Sequence, residues 1–166
     1  MSDELTQVQN EAVQLEMNAR KLYVLFARQF PEDAAFWQQL AIEENNHAEL
    51  IRSGVDLFKE AGVPPTDVLA APMNSLRAAN NKLTELIEKY EENAPTRANA
   101  FYTALATEQS AGEIHFQHLM TRQADSRIVE LFQQLNQDDK QHTARILTYM
   151  QDHGIDETRG SKKSGR

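Results

Sequence analysis

Cysteine does not occur anywhere in the 166 residues of the chain. Its absence excludes disulfide bonds, zinc ribbons, iron–sulfur clusters and thiol catalysis, because each of these needs thiol groups. Glycine and proline are scarce, with 6 and 5 residues, and most of them separate long segments of helical periodicity. Valine, isoleucine and threonine form no alternating run, so the sequence predicts an all-α protein with essentially no sheet.

Excess positive charge and long apolar runs are missing as well. The formal net charge is -8, which disfavours non-specific binding to nucleic acid or to an anionic membrane surface. No apolar run approaches the roughly 18 residues that a membrane span needs. Residues 1–7 show no basic region before an apolar core, so we expect no signal peptide. We expect a cytoplasmic protein that binds neither nucleic acid nor membrane.

Five helices are predicted from apolar residues that recur at intervals of three and four. Proline or glycine stands near most of the predicted helix ends, as at Pro31, Gly62 and Pro95. The third of these helices is shorter than the others. The predicted helices span about residues 4–30, 32–61, 75–92, 95–122 and 126–152.

Residues 1–153 are enough for one domain with a core of its own, and the helical pattern stops at Gly154. The remaining segment, 154–166, is rich in glycine, serine, lysine and arginine. We predict that it forms a disordered basic tail, because so short and polar a segment has nothing to bury.

An acid-x-x-His spacing occurs twice in the predicted helices. Glu44 and His47 are three residues apart on the second helix, and Asp139 and His142 repeat the spacing on the last one. Side chains three residues apart project to the same side of a helix and can bind one metal ion. Two further acids lie on apolar helix faces, where acids are rare. The candidate metal ligands are Glu16, Glu44, His47, Glu108, Asp139 and His142.

The four acids lie at matching distances from two tight turns. Glu16 and Glu44 are fourteen and thirteen residues from the first turn, and Glu108 and Asp139 are sixteen and fifteen residues from the second. Because a helix rises by about 1.5 Å per residue, each hairpin places its candidates at one height. The sequence therefore predicts that the six groups converge when the hairpins pack. For the first turn the distances are counted from Phe30 and Pro31, and for the second from Ala124.

The chemistry of this set indicates a dinuclear metal centre. Four buried carboxylates would repel one another and take up protons unless cations neutralised them. Two divalent cations balance four negative charges, and two neutral imidazoles complete the ligand set. Carboxylates with imidazoles suit iron or manganese, whereas zinc usually takes fewer oxygen ligands. This distribution over four helices is that of the di-iron carboxylate proteins, so we expect two iron ions, with manganese or zinc as alternatives.

Structural alternatives exist for single members of the set. One acid-x-x-His spacing alone is often incidental. Glu43 and Asp138 stand beside the chosen acids, and Asp138 lies four residues before His142, which also allows a shared ligand. Glu16 alone fits an ion pair with Arg20, four residues further along. A helical interaction module without metal is the corresponding alternative for the whole chain.

Tyr23 and His115 are candidates for catalytic residues beside the ligands. They follow Glu16 and Glu108 by seven residues, which is two helical turns. We expect them to donate hydrogen bonds to the ligands or to lie near a bound oxidant. The alternative is that both simply satisfy their polar atoms inside the bundle.

Two stretches resemble the rubrerythrins. Residues 16–27, EMNARKLYVLFA, are similar to the first helix of that family, which carries Glu-x-x-Ala-x-x-x-Tyr followed by an aromatic residue and alanine. Residues 41–47, AIEENNH, are similar to its second helix. The resemblance implies a ferritin-like four-helix bundle over about residues 3–153, built of two antiparallel hairpins. A long crossover at about 63–93 would join them and hold the extra short helix.

The resemblance also implies roles for the ligands and a reaction. Glu44 and Glu108 would bridge two irons, Glu16 and Asp139 would each bind one iron, and a histidine would cap each. Three departures from the family pattern stand out. The four-cysteine iron domain is lacking, Ala111 replaces a further glutamate, and Asp139 stands where glutamate is usual.

The expected function is that of a di-iron oxidoreductase, of ferroxidase or peroxidase type. It would oxidise ferrous iron or reduce O2 or hydrogen peroxide, as a homodimer or larger homo-oligomer with an external electron donor. Two alternatives stay open at this point. One is a ferritin-type shell for iron storage or detoxification, and the other is a di-iron hydroxylase of an organic substrate.

Overall fold

The structure, a computed structural model, describes residues 2–60, 73–116 and 127–155, together with most of their side chains. Nearly all of these residues are helical, and no strand occurs among them. The all-α prediction is therefore confirmed for the described part of the chain. The helices are α1 (Ser2–Gln29), α2 (Ala34–Glu60), α3 (Met73–Glu92), α4 (Arg97–Phe116) and α5 (Arg127–Asp152).

The predicted helix bounds agree with the observed ones to within a few residues where both can be compared. One difference is at the start of α2, where Pro31–Asp33 form a 3-10 turn before the α-helix begins. Proline suits the first position of such a turn because its fixed φ is helical and its missing N–H would have no partner there. The predicted helix stop at Gly62 and the turn at Ala124 lie outside the described residues. The segment between the second and third predicted helices, expected to be a loop at 63–73, also lies outside them up to residue 72, whereas Met73 already belongs to α3.

The last helix ends in a hydrogen-bonded cap. Gly154 adopts a φ of 63°, its N–H donates to the carbonyl of Gln151, and the N–H of Ile155 donates to the carbonyl of Met150 at 2.9 Å. This is the Schellman arrangement, which favours glycine because only glycine tolerates that φ without strain. Ile155 is buried, so the described fold extends two residues past the predicted limit at 153. The rest of the predicted tail, 156–166, lies outside the described residues.

The helices pack as two pairs with α3 alongside. α1 lies along α2, to which the 3-10 turn connects it, and α4 lies along α5. α3 packs mainly against α1, while smaller contacts join α2 to α5 and α1 to α4. No helix among the described residues is long and apolar enough to cross a membrane. The interior is thus formed where the α1–α2 pair meets the α4–α5 pair.

An aromatic cluster fills the interior near the 3-10 turn. Trp37 lies at its centre and is fully buried, with its ring 4.4 Å from that of Phe101 and 5.1 Å from that of Phe26. Burying side chains of this size stabilises a fold by about 1.5–3 kcal/mol each. The cluster joins residues of α1, α2, α4 and α5 and therefore fixes both pairs at this end. Its members are Phe26, Phe36, Trp37, Phe101 and Tyr149.

A buried acid, Asp33, lies beside this cluster. Arg97 donates two hydrogen bonds to its carboxylate, at 2.7 and 2.6 Å, and the hydroxyl of Tyr149 donates a third at 2.9 Å. Burial alone would raise the pKa of Asp33, but the hydrogen bonds from Arg97 and Tyr149 outweigh it and lower the pKa. The network ties the turn before α2 to the start of α4 and the end of α5.

Candidate metal centre

Five of the six predicted ligands come together where the α1–α2 pair meets the α4–α5 pair. Each lies near the middle of its helix, and each is at most 5 % exposed. The helices bury them because their neighbours are apolar: Glu44, for example, is followed on the same face by Ala48 and Ile51, which are fully buried. Burying a charged group costs several kcal/mol unless partners compensate it. The five are Glu16, Glu44, His47, Glu108 and His142.

The first group consists of Glu16, Glu44 and His47, with one ligand atom from each within 4.8 Å of the others. Nδ1 of His47 lies 3.4 Å from Oε2 of Glu44 and 3.6 Å from Oε2 of Glu16. The i,i+3 spacing on α2 therefore does bring its acid and histidine to the same side, and α1 adds the second acid. Three buried donors of this kind can hold a metal ion.

The second group consists of Glu44, Glu108 and His142, again within 4.8 Å. Nδ1 of His142 lies 3.1 Å from Oε1 of Glu44 and 3.3 Å from Oε2 of Glu108. Glu44 belongs to both groups, and its two oxygens face two different histidines. Glu108 belongs to the second group only, and its expected bridging role stays a prediction.

The two histidine rings lie next to each other across the centre. Their centroids are 5.3 Å apart and their planes are inclined by 22°. Both rings turn Nδ1 toward the carboxylates. His47 comes from α2 and His142 from α5, so this contact lies where the two helical pairs meet.

The carboxylates of the site favour the protonated form of the two histidines beside them. Burial alone would lower the pKa of His47, but the carboxylates of Glu16 and Glu44 beside its ring raise the pKa to about 11. The pKa of His142 is likewise raised to about 11, against burial, by Glu108 and Glu44. Burial and the nearby charge of Glu108 raise the pKa of Glu44 well above its usual value. The buried glutamates therefore attract positive charge into the site, and either protons or metal ions can supply it.

Tyr23, one of the two predicted catalytic residues, contacts a ligand. Its hydroxyl donates a hydrogen bond to Oε1 of Glu108 on α4. The sequence placed Tyr23 two turns from Glu16 on its own helix, whereas the observed partner lies on the neighbouring helix pair. The contact holds one carboxylate oxygen of Glu108, and the catalytic role of Tyr23 stays a prediction.

The other two predicted site residues lie on the second pair of helices. The backbone of His115 lies in α4 and that of Asp139 lies in α5. Their side chains lie outside the part of the chain that the structure describes. The sixth ligand and the second catalytic candidate are therefore still predictions from the sequence.

Glu43 and Arg145 are contacts of the site that the sequence did not assign. Oε2 of Glu43 lies 2.6 Å from Nε2 of His142 and accepts a hydrogen bond from Nη1 of Arg145, also at 2.6 Å. Burial alone would raise the pKa of Glu43, but hydrogen bonds from Gln39 and Arg145 lower it. A signal existed in the sequence, since Arg145 follows His142 by three residues and so shares its helix face. In the sequence, Glu43 stands out only as the neighbour of Glu44.

The donor set fits a metal ion that prefers oxygen with some nitrogen. Three carboxylates and two imidazoles are hard to borderline ligands, and thiolates are excluded by the composition. Two groups of buried Glu and His that can hold a metal ion are thus present among the described residues. Comparison of the chain with protein-family models, curated proteins and solved structures gave no match.

Proposed function

We propose that this protein is a non-haem di-iron protein with a ferritin-like fold, related to the rubrerythrins. It would oxidise ferrous iron with O2 or hydrogen peroxide as the oxidant. The observation that supports this most strongly is the position of Glu44. Its two oxygens face His142 and His47, at 3.1 and 3.4 Å, and each histidine has a further glutamate beside it. One shared carboxylate between two acid–histidine groups is what a dinuclear centre needs.

The charge of the site supports two ions rather than one. Glu16, Glu44 and Glu108 carry three negative charges when ionised, and Asp139 would supply a fourth. Two divalent cations balance four charges and leave both imidazoles neutral, which is the state in which nitrogen binds a metal. Two ferrous ions, when bound, would supply two electrons to O2 or to hydrogen peroxide. The chain's own residues would bind them, keep water away and hold the carboxylates in place.

The helix arrangement supports the ferritin-like assignment. α1 and α2 form one hairpin, α4 and α5 lie together as the second pair, and α3 stands between them in the chain. Each pair contributes one lone acid and one acid-x-x-His helix, as the di-iron carboxylate bundles do. The rubrerythrin-like motifs at 16–27 and 41–47 supply Glu16, Glu44 and His47 of the first group.

Anaerobic ferrous titration tests the proposal directly. We expect the wild-type chain to bind about two irons, as counted by elemental analysis after removal of loosely held metal. Glu44→Ala should lose most of both irons because it belongs to both groups, whereas His47→Ala should lose mainly one. Glu49→Ala is the matched control, since Glu49 is exposed on the same helix and forms an ion pair with Arg52. Iron content unchanged by Glu44→Ala would contradict the centre.

The oligomeric state separates the oxidoreductase from iron storage. A homodimer or another small homo-oligomer agrees with an enzyme that takes electrons from an external donor. A hollow shell of many chains agrees with the ferritin-type alternative. Size-exclusion chromatography with light scattering distinguishes the two, and the oxygen consumed per iron in stopped-flow measurements adds the stoichiometry of the reaction.

A second candidate function, hydroxylation of a small apolar molecule, is favoured by a cavity between α1, α3 and α4. The cavity has a volume of about 250 Å³. Leu15 and Thr107 line it, and they are the sequence neighbours of Glu16 and Glu108. Most of its wall is apolar, which suits an uncharged substrate. Its remaining lining residues are Ala79, Lys82, Leu83, Leu86, Thr103, Ala106 and Ser110.

Turnover of an apolar probe tests this candidate. Iron-loaded protein given O2, a chemical reductant and toluene should form a hydroxylated product. Ala79→Phe, which fills the cavity from α3, should abolish the product while the iron content stays unchanged. Absence of product from the wild-type protein, with oxygen still consumed, leaves the oxidation of ferrous iron as the reaction.

A further inference from the structure

The two ring nitrogens of His142 have different partners. Nδ1 faces the centre, 3.1 Å from Oε1 of Glu44 and 3.3 Å from Oε2 of Glu108. Nε2 points the other way and lies 2.6 Å from Oε2 of Glu43. His142 is 1 % exposed, so the ring cannot exchange these partners for water. The imidazole is therefore held between the centre and a carboxylate outside it.

Glu43 is itself held in place from two helices. Nη1 of Arg145 donates to the same Oε2 at 2.6 Å, and Nε2 of Gln39 donates to Oε1 at 2.8 Å. Arg145 lies on α5 one turn from His142, whereas Gln39 lies on α2 one turn from Glu43. The side chain of Glu43 is 23 % exposed. Both of its oxygens are thus committed, and only a small part of the group faces solvent.

We propose that Glu43, held by Arg145, is a positioning residue that fixes the ring of His142 with Nδ1 toward the metal centre. The proposal rests on the proposed function, since it assigns a role toward the metal. A carboxylate on the far nitrogen of a ligating histidine fixes its tautomer and orientation and makes it a stronger ligand. Glu43 acts in this way through His142 and does not itself belong to either group of candidate ligands.

A purely structural role is the competing explanation. The ion pair of Glu43 with Arg145 joins α2 to α5, and helix packing alone can account for such a contact. The two roles differ in what they change at His142. A structural contact affects the unfolding of the protein, whereas a positioning contact also affects which ring nitrogen binds the metal and how strongly.

Zinc binding to the full chain separates these roles. Zn²⁺ is diamagnetic and redox-inactive, so its affinity can be measured by chelator competition and the histidine nitrogens can be observed by long-range ¹H–¹⁵N spectra. The variants are Glu43→Ala, Glu43→Gln and the control Glu49→Ala on the same helix. Glu43→Gln keeps an oxygen that can accept from Nε2–H but lacks the charge. Far-UV circular dichroism and thermal unfolding check that each variant is folded.

We expect Glu43→Ala to weaken zinc binding by about 10–100-fold and Glu43→Gln by less. In the wild-type protein, His142 should bind zinc through Nδ1 and show a slowly exchanging Nε2–H signal. In Glu43→Ala that signal should be lost to exchange with water, or the ring should bind through Nε2 instead. Glu49→Ala should match the wild-type protein in both measurements. If Glu43→Ala does not fold, Glu43→Gln carries the same test.

Three results would overturn the proposal, and they differ from one another. Wild-type affinity with an unchanged His142 signal in a folded Glu43 variant would leave Glu43 a structural role only. An equal loss in Glu49→Ala would mean that the effect is not specific to Glu43. A wild-type protein that binds no zinc, manganese or iron would contradict the proposed metal centre itself and, with it, the role of Glu43.

Discussion

Two buried acids in this chain, Asp33 and Glu44, are compensated in different ways. Asp33 is 1 % exposed and receives two hydrogen bonds from Arg97 and one from Tyr149. Glu44 is 2 % exposed and lies among Glu16, Glu108 and two histidines. The pKa of Asp33 is lowered against the effect of burial, while burial and the charge of Glu108 raise the pKa of Glu44.

The difference shows which of the two acids has its counter-charge supplied permanently by the chain itself. A guanidinium is always charged, so Asp33 has a permanent counter-charge and its network serves the architecture. The charge near Glu44 comes from histidines, which give up their protons when they bind a metal. Buried charges are paired or coordinate metals. The first region therefore needs no ligand, and the second is suited to cations from outside.

The largest expected effect is the loss of stability when Asp33 loses its partner Arg97. Arg97→Ala leaves a buried carboxylate without its counter-charge, which costs about 3–5 kcal/mol in a fully buried pair. Because the side chain of Arg97 is 34 % exposed, we expect a smaller loss, about 2–4 kcal/mol. Urea unfolding measures it. The iron content of the folded variant should stay at the wild-type value, and a loss of iron would show that the two regions are not independent.

Added metal should stabilise the protein by binding at the groups of ligands that share Glu44. At a free Mn²⁺ concentration of 100 times the dissociation constant, binding to the native state alone adds about 2.7 kcal/mol. Thermal unfolding with and without Mn²⁺ measures this gain. Arg97→Ala should keep it and Glu44→Ala should lose it. Equal gains in both variants would place the bound metal elsewhere.

Removing one charge from each acid should have unequal effects in protein stripped of metal by a chelator. Asp33→Asn weakens three hydrogen bonds to a charged acceptor, and we expect a loss of about 1–3 kcal/mol. Glu44→Gln should cost less than Asp33→Asn, because burial and the charge of Glu108 raise the pKa of Glu44, whereas the pKa of Asp33 is lowered. Chemical unfolding of the two variants side by side checks this. Equal losses would remove the distinction between the regions.

The smallest expected effect is a pH dependence from Asp33. Its pKa lies below the usual value of 3.8 in the folded protein, so it contributes stability that is complete above about pH 4 and is lost as pH falls through the lowered pKa. Asp33→Asn lacks this contribution. The stability difference between wild type and Asp33→Asn should therefore shrink below pH 4, as urea unfolding at several pH values can show. A difference that grew on acidification would contradict the lowered pKa.

The parts of the site that follow from single helices could be predicted from the sequence. Glu44 and His47 share a face because they are three residues apart, and the distances from the turn at Pro31 indicated that Glu16 would meet them. The all-α class followed equally from local periodicity. Such features depend on the geometry of one helix or one tight turn, which the sequence specifies directly.

Contacts between the pairs could not be predicted in this way. Tyr23 meets Glu108, and His142 meets Glu43, only because of how the α1–α2 pair is rotated against the α4–α5 pair. The network of Asp33 joins residues that are 64 and 116 positions apart. Rotation about a helix axis depends on the packing of many side chains, so no single spacing in the sequence reveals it.

Anomalous diffraction at the iron edge from crystals of iron-loaded protein tests the shared position of Glu44 most directly. We predict two peaks per chain about 3.5–4 Å apart, one beside Glu16 and His47 and one beside Glu108 and His142, with a Glu44 oxygen facing each. A single peak, or peaks away from these residues, would contradict a dinuclear centre built around Glu44.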